Sequence, residues 1–152
     1  MNKQKFISAL EKLNLPKTEF VILSGGSLLM RGLREETEDM DLSASKKLAE
    51  ELQLYDCPQD EHGLYKPFEN VQMNDDMERF PYDVIDGYQC ETLEDILKHK
   101  REWNRPKDKN DIEIIESYIK QDDAKNSRYD EYLNMLRLPE KLNAEEKEKQ
   151  NE

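Results

Sequence analysis

The chain has 152 residues and sets 23 Lys and Arg against 35 Asp and Glu, a net charge of −12, with 36% apolar and 38% charged residues. That length suits one compact domain and not two, and no run approaches the ~18 apolar residues of a membrane span. So acidic a balance excludes a protein that grips polyanions by bulk charge, so any anionic ligand must be met by a local device.

Phe6, Ile7, Leu10 and Leu13 recur at helical spacing ahead of Pro16 and predict an N-terminal helix. Phe20-Val21-Ile22-Leu23 is an apolar run of strand length that stops at Ser24-Gly25-Gly26-Ser27, which reads as a buried strand feeding a tight turn. The chain has only five glycines, and Gly25, Gly26 and Gly32 lie close together, as expected where backbone approaches something closely or adopts positive φ. Leu28, Leu29, Met30 and Leu33 predict a short helix after the turn, Met40-Asp41-Leu42 a strand, and Ser45 to Leu52 another short helix.

Between Gly63 and Ile85, Leu64-Tyr65, Val71-Gln72-Met73 and Tyr82-Asp83-Val84-Ile85 read as strands, separated by Pro67, Asn74-Asp75-Asp76 and Pro81. Thr92 caps a helix carrying Leu93, Ile96, Leu97 and Trp103. Pro106 interrupts it, and Asp108 opens a further helix with Ile112, Ile115 and Ile119 on one stripe. A last amphipathic piece uses Tyr132, Met135 and Leu136, with Trp103, Tyr129 and Tyr132 expected as core or interface anchors. One domain is expected over residues 1–138, its helical part from about 92, followed by a charged, disordered tail over 139–152 with nothing to bury. Cys57 and Cys90 lack metal-ligand or redox spacing and read as reduced structural thiols. His62 and His99 add no zinc set and read as surface histidines, and the start of the chain has no secretory pattern, so a cytoplasmic protein is expected.

The chemistry is carried by Asp39 and Asp41. They flank one apolar residue in a strand, so both carboxylates project from the same face. Two acids on one face suit a hard divalent cation, which takes carboxylate and phosphate oxygens. Asp-x-Asp alone is common on solvated strand ends. The strand-to-helix turn at Gly25-Gly26-Ser27 adds a second device, because unpaired backbone N–H groups and a serine hydroxyl can hold a phosphate.

Gly25-Gly26-Ser27, eleven residues, then Asp39-Met40-Asp41-Leu42 resembles the signature of the DNA polymerase β-like nucleotidyltransferase superfamily. This superfamily includes small antibiotic-modifying and minimal nucleotidyltransferases and components of toxin–antitoxin systems. Gly32-Leu33-Arg34 with Thr37 is similar to its small bacterial members. So is Lys100 followed by Arg105-Pro106-Lys107-Asp108 and Asp111.

The resemblance implies an α+β fold, a small mixed sheet flanked by helices with a helical C-terminal segment. It also implies transfer of a nucleoside monophosphate from a nucleoside triphosphate to a hydroxyl acceptor, whether a small molecule, an RNA end or a protein. Gly25, Gly26 and Ser27 would hold the triphosphate, Asp39 and Asp41 would bind Mg²⁺ or Mn²⁺, and Arg34, Lys100, Arg105 and Lys107 are candidate phosphate or acceptor cations. Lys100, Arg105, Asp108 and Asp111 can equally be a pairing network between two helices. The family's third carboxylate has no obvious counterpart: Gln72 stands in the apolar-flanked position, and Glu69 and Asp83 are the substitutes by context. If no acid joins the pair, the expectation becomes a catalytically degenerate protein that binds a protein partner on the same scaffold.

Overall fold

In the computed structural model, which describes the backbone of residues 1–151 and side chains as far as Met135 apart from Ser127, Tyr129, Asp130 and Leu133, the chain is an α+β protein. Expectations for Tyr129, Leu136 and the tail over 139–152 concern side chains outside the described residues. Two compact units are distinguished, Met1–Ile112 and Glu113–Glu152.

The first unit is built on one five-stranded sheet. Its elements are α1 (Lys3–Leu13), β1 (Phe20–Ile22), α2 (Ser24–Met30), β2 (Met40–Ala44), α3 (Lys46–Glu51), β3 (Val71–Asn74), β4 (Tyr82–Ile85), β5 (Tyr88–Glu91) and α4 (Leu93–Trp103). The strand order is β3-β2-β1-β5-β4. β1 runs antiparallel to β2 and parallel to β5, β2 is parallel to β3, and β4 is antiparallel to β5. β1 and β5 therefore end at the same rim of the sheet at which β2 and β3 begin, and that rim collects the site described below.

The helices form where the sequence places apolar residues on one face between good caps. Phe6 and Leu10 of α1 are buried, Asn2 accepts the Lys5 N–H at its start, and Asn14 closes its end in the left-handed region. Thr92 accepts the Asp95 N–H and starts α4, which buries Leu93, Ile96 and Leu97. Phe20, Ile22, Leu29, Leu42, Leu48 and Met73 join Phe6 in one core. No helix among the described residues is long and apolar enough to cross a membrane. Both cysteines are free, and burial pushes the Cys90 thiol on β5 up to about 11.

Several expectations change. The turn before α2 does not stand apart from the helix: α2 begins at Ser24, so Gly25 and Gly26 form its first turn, and Ser24 itself is left-handed at φ 46°. Gly26 is there for close approach, since an added β-carbon would lie 2.8 Å from both Ile22 Cγ2 and Phe6 Cζ. Gly26→Ala is accordingly expected to overpack the core and cost about 1–3 kcal/mol in urea unfolding. β5 was not expected at all, although Asp86-Gly87, at φ 51° and 83°, makes the tight hairpin that folds it onto β4. Leu64-Tyr65 forms no strand; Tyr65 makes isolated bridges to Gln59 and Met73.

Trp103 and Tyr132, expected as anchors, are 52% and 57% exposed. Arg105 lies over the Trp103 ring, 4.6 Å from its centroid. The second unit continues α5, which runs Lys109–Asn151 without the separate last piece read from the sequence.

Candidate active site

β1 and β2 are short, and their pairing does the positioning. Ile22 stands opposite Leu42, and one residue further the Leu23 N–H donates to the Asp41 carbonyl at 2.8 Å. This bond sets the first turn of α2 beside the start of β2. Met40 is buried, so Asp39 and Asp41 on either side of it face away from the core, both partly exposed. A β-carbon on Gly25 would lie 2.7 Å from Arg34 Nη1 and 3.6 Å from Thr37 Oγ1, and Thr37 donates from its hydroxyl to the Asp39 carbonyl at 3.2 Å. Gly25, Arg34, Thr37, Asp39 and Asp41 thus share one neighbourhood.

Asp41 is the strained member. Burial, then Asp39 and then Asp60 push its carboxyl up to about 6, while Arg34 opposes them. Its Oδ1 is buried without a hydrogen-bond partner. A buried carboxylate oxygen with nothing to accept from, next to a second carboxylate, fits a divalent cation as the missing partner.

The rest of the glycine turn faces inward. Ser27 is fully buried and donates from Oγ to the Glu91 carbonyl at 2.7 Å, while accepting from Arg31. Its hydroxyl braces α2 against β5 and is engaged inside the protein. Glu91 Oε1 accepts the Ser24 N–H at 2.9 Å, which ties the left-handed start of α2 to the end of β5. Gly26 lies under Phe6 and Ile22, leaving Gly25 as the residue of the triplet beside Arg34.

The candidate cations divide. Arg34 is 43% exposed, with Asp111 Oδ2 3.9 Å from Nη1. Lys100 is nearly fully buried, with Nζ 3.3 Å from Asp108 Oδ1 and 3.1 Å from Asp111 Oδ2. Arg105 grips Asp108 with two bonds, 2.7 Å from Nε and 3.1 Å from Nη2. Arg105 first and Lys100 next hold the Asp108 carboxyl below its ordinary range. Lys100, Arg105, Asp108 and Asp111 therefore form the helix-pairing network, and Lys107 is exposed beside it.

The acids proposed to complete the pair fall in different places. Gln72 stands in register with Asp41 across β2 and β3, so a neutral amide occupies the nearest strand position. Asp83 lies on the far edge strand β4, three strand spacings or about 14 Å from β2, and pairs with Arg31 at 2.8 Å. It is too far to share an ion with Asp39. Glu69 and Asp39 both line an open cavity of about 480 Å³, together with Lys66, Phe68 and Gln72. Asp60, which no sequence signal marked, lies near enough to act on Asp41. Its Oδ1 accepts the His62 and Leu64 N–H groups at 2.8 and 2.9 Å, and these hold its pKa down, Leu64 most.

His99 is not a lone surface histidine. It is 29% exposed, with Nδ1 3.5 Å from Glu91 Oε2 and 3.4 Å from Asp95 Oδ2, and its ring stacks on Trp103. Glu91, 3% exposed, has its carboxyl pushed up to about 8 by burial first and the adjacent Asp95 next. The sequence hid this group because Glu91 ends a strand that was not expected. No protein-family model, curated protein or solved structure matches the chain.

Proposed function

We propose that this protein is a metal-dependent nucleotidyltransferase, moving a nucleoside monophosphate from a nucleoside triphosphate to a hydroxyl acceptor on a polymerase β-like scaffold. One observation carries the reading: the Leu23–Asp41 bond sets the glycine turn against the Asp39–Asp41 pair, whose Oδ1 on Asp41 is buried and unpartnered. Asp39 and Asp41 would hold Mg²⁺ or Mn²⁺, hard cations that suit an all-oxygen set. The bound ion would supply Lewis-acid polarisation of the α-phosphate and offset charge on the departing pyrophosphate.

Arg34 and the Gly25 backbone are the groups of this chain that meet the triphosphate, Arg34 through its planar fork. Lys100 and Arg105 act at one remove, holding Asp111 and Asp108. The cavity beside Asp39 receives the acceptor. Glu69 is the acid best disposed to take the acceptor proton, because it opens on that cavity while Asp60 is committed to two backbone N–H groups. The free thiols Cys57 and Cys90 fit a cytoplasmic setting.

Gln72 supports a second reading. With an amide in register beside Asp41, the scaffold binds a protein partner without nucleotide turnover. Calorimetric titration of ATP, GTP, CTP and UTP, with and without Mg²⁺, separates the two from the outset. Heat with at least one triphosphate only when Mg²⁺ is present, lost in the Asp39→Asn, Asp41→Asn double variant, is the expected result. No heat with any triphosphate moves the assignment to a partner-binding protein.

A further inference from the structure

We propose that Glu91, Asp95 and His99 form a second metal site, one for a borderline transition cation of the Zn²⁺ or Co²⁺ class. It lies behind the glycine turn and is separate from the Asp39–Asp41 pair. Glu91 comes from the end of β5, and Asp95 and His99 lie one turn apart on α4, so the Thr92 cap that starts α4 also sets the three against one another. Their ligand atoms all fall within 4.8 Å of one another.

Two of the three donor spacings match a coordination sphere. Ligands about 2.1 Å from a tetrahedral Zn²⁺ stand roughly 3.4 Å apart. His99 Nδ1 is 3.4 Å from Asp95 Oδ2 and 3.5 Å from Glu91 Oε2. Both distances exceed the ordinary N–H···O hydrogen bond of about 2.7–3.2 Å. Asp95 Oδ2 is buried, with His99 Nδ1 and the Glu91 carboxyl as its polar neighbours and no hydrogen bond of ordinary length.

The surroundings orient the donors. The Ser24 N–H fixes Glu91 Oε1 at 2.9 Å and leaves Oε2 toward His99. The His99 ring packs against Trp103, centroids 5.9 Å apart, and Phe80 at 6.2 Å, aromatic neighbours that restrict its rotation. One imidazole nitrogen with two carboxylate oxygens selects zinc, cobalt and their neighbours over Mg²⁺ or Ca²⁺. Three protein donors leave a fourth position open. Lys100, which acts on Glu91 from a distance, is held by Asp108 and Asp111, so it neutralises the cluster only in part.

The single tryptophan, Trp103, reports the site. Metal-free full-length protein is titrated with Co²⁺ while Trp103 fluorescence and visible absorption are followed, and Zn²⁺ is then added. Expected are saturation at one equivalent, loss of more than half the fluorescence, reversal by Zn²⁺, and indifference to millimolar Mg²⁺. Asp95→Asn and His99→Ala, checked for folding by circular dichroism, weaken binding at least 100-fold. The Asp39→Asn, Asp41→Asn variant keeps it, so failure here and failure of the nucleotidyltransferase reading are distinguishable. No quenching up to millimolar Co²⁺, or unchanged titrations in both single variants, overturns the site and leaves His99 as an ion-pair partner of the two carboxylates.

Discussion

Replacing Asp41 with asparagine is expected to raise the stability of the metal-free protein at pH 8 by about 2–3 kcal/mol while weakening Mg²⁺-dependent triphosphate binding more than 100-fold. The two effects share one cause. Burial and the neighbouring Asp39 and Asp60 carboxylates push Asp41 up to about 6 in the folded chain. A raised carboxyl favours the folded state only while protonated, so its contribution is complete below the ordinary carboxylate range and is lost as pH rises through about 6. At ~1.36 kcal/mol per pKa unit, the ionised group costs about 3 kcal/mol at pH 8, somewhat less because the site is partly solvated.

Asparagine carries no charge to penalise. The gain should vanish by pH 4, where aspartate is also protonated, and urea unfolding at the two pH values measures the difference. Equal stability at pH 8 would show that Asp41 is not strained. The loss of binding follows because even outer partners of a metal cost ~10–100-fold when removed, and a direct ligand costs more. In the wild type, metal-dependent binding should fall as pH drops below about 6, where Asp41 takes up its proton.

Lys100→Met is expected to destabilise by about 3 kcal/mol. Lys100 is 4% exposed and stands between Asp108 and Asp111, so removing its charge leaves a buried acid pair short of a partner. Breaking a buried ion pair from one side costs ~3–5 kcal/mol, and the lower figure applies here because Arg105 still grips Asp108 by two bonds. Adding Asp111→Asn should restore part of the loss. Chemical unfolding reads both variants, and triphosphate titration of the refolded single variant distinguishes a structural lysine from a phosphate ligand. A Lys100→Met protein of normal stability that no longer binds triphosphate would reverse the assignment.

The parts of the site that depend on local pattern were legible in the sequence. Phe20 to Leu23 as a buried run, the small residues after it and the alternation at Asp39-Met40-Asp41 put the turn and the acids on neighbouring elements. Gln72 fell where the register with Asp41 confirms its proximity. What remained hidden was set by distant pairing. The Asp86-Gly87 hairpin is the local signal that places β5, and with it Glu91 and the partners of His99. Ser27 has the residue type of a phosphate ligand, but the arrival of β5 turns its hydroxyl onto the Glu91 carbonyl. Asp83 looks like a strand acid in sequence, yet strand order puts it at the opposite edge. Asp60 belongs to a loop whose approach to Asp41 no local pattern encodes.

The strand order also governs how the chain must assemble. β1 lies at the centre of the sheet, yet one of its two neighbours is β5, and the Ser24–Glu91 bond that closes this seam spans 67 residues. A contact of that separation is expected to form after the nearer β1–β2 and β4–β5 pairings. During synthesis the amino-terminal half therefore emerges with one flank of its middle strand open, a template for mispairing with other chains until the hairpin docks. A ribosome-bound fragment ending at Ile85 lacks that cover.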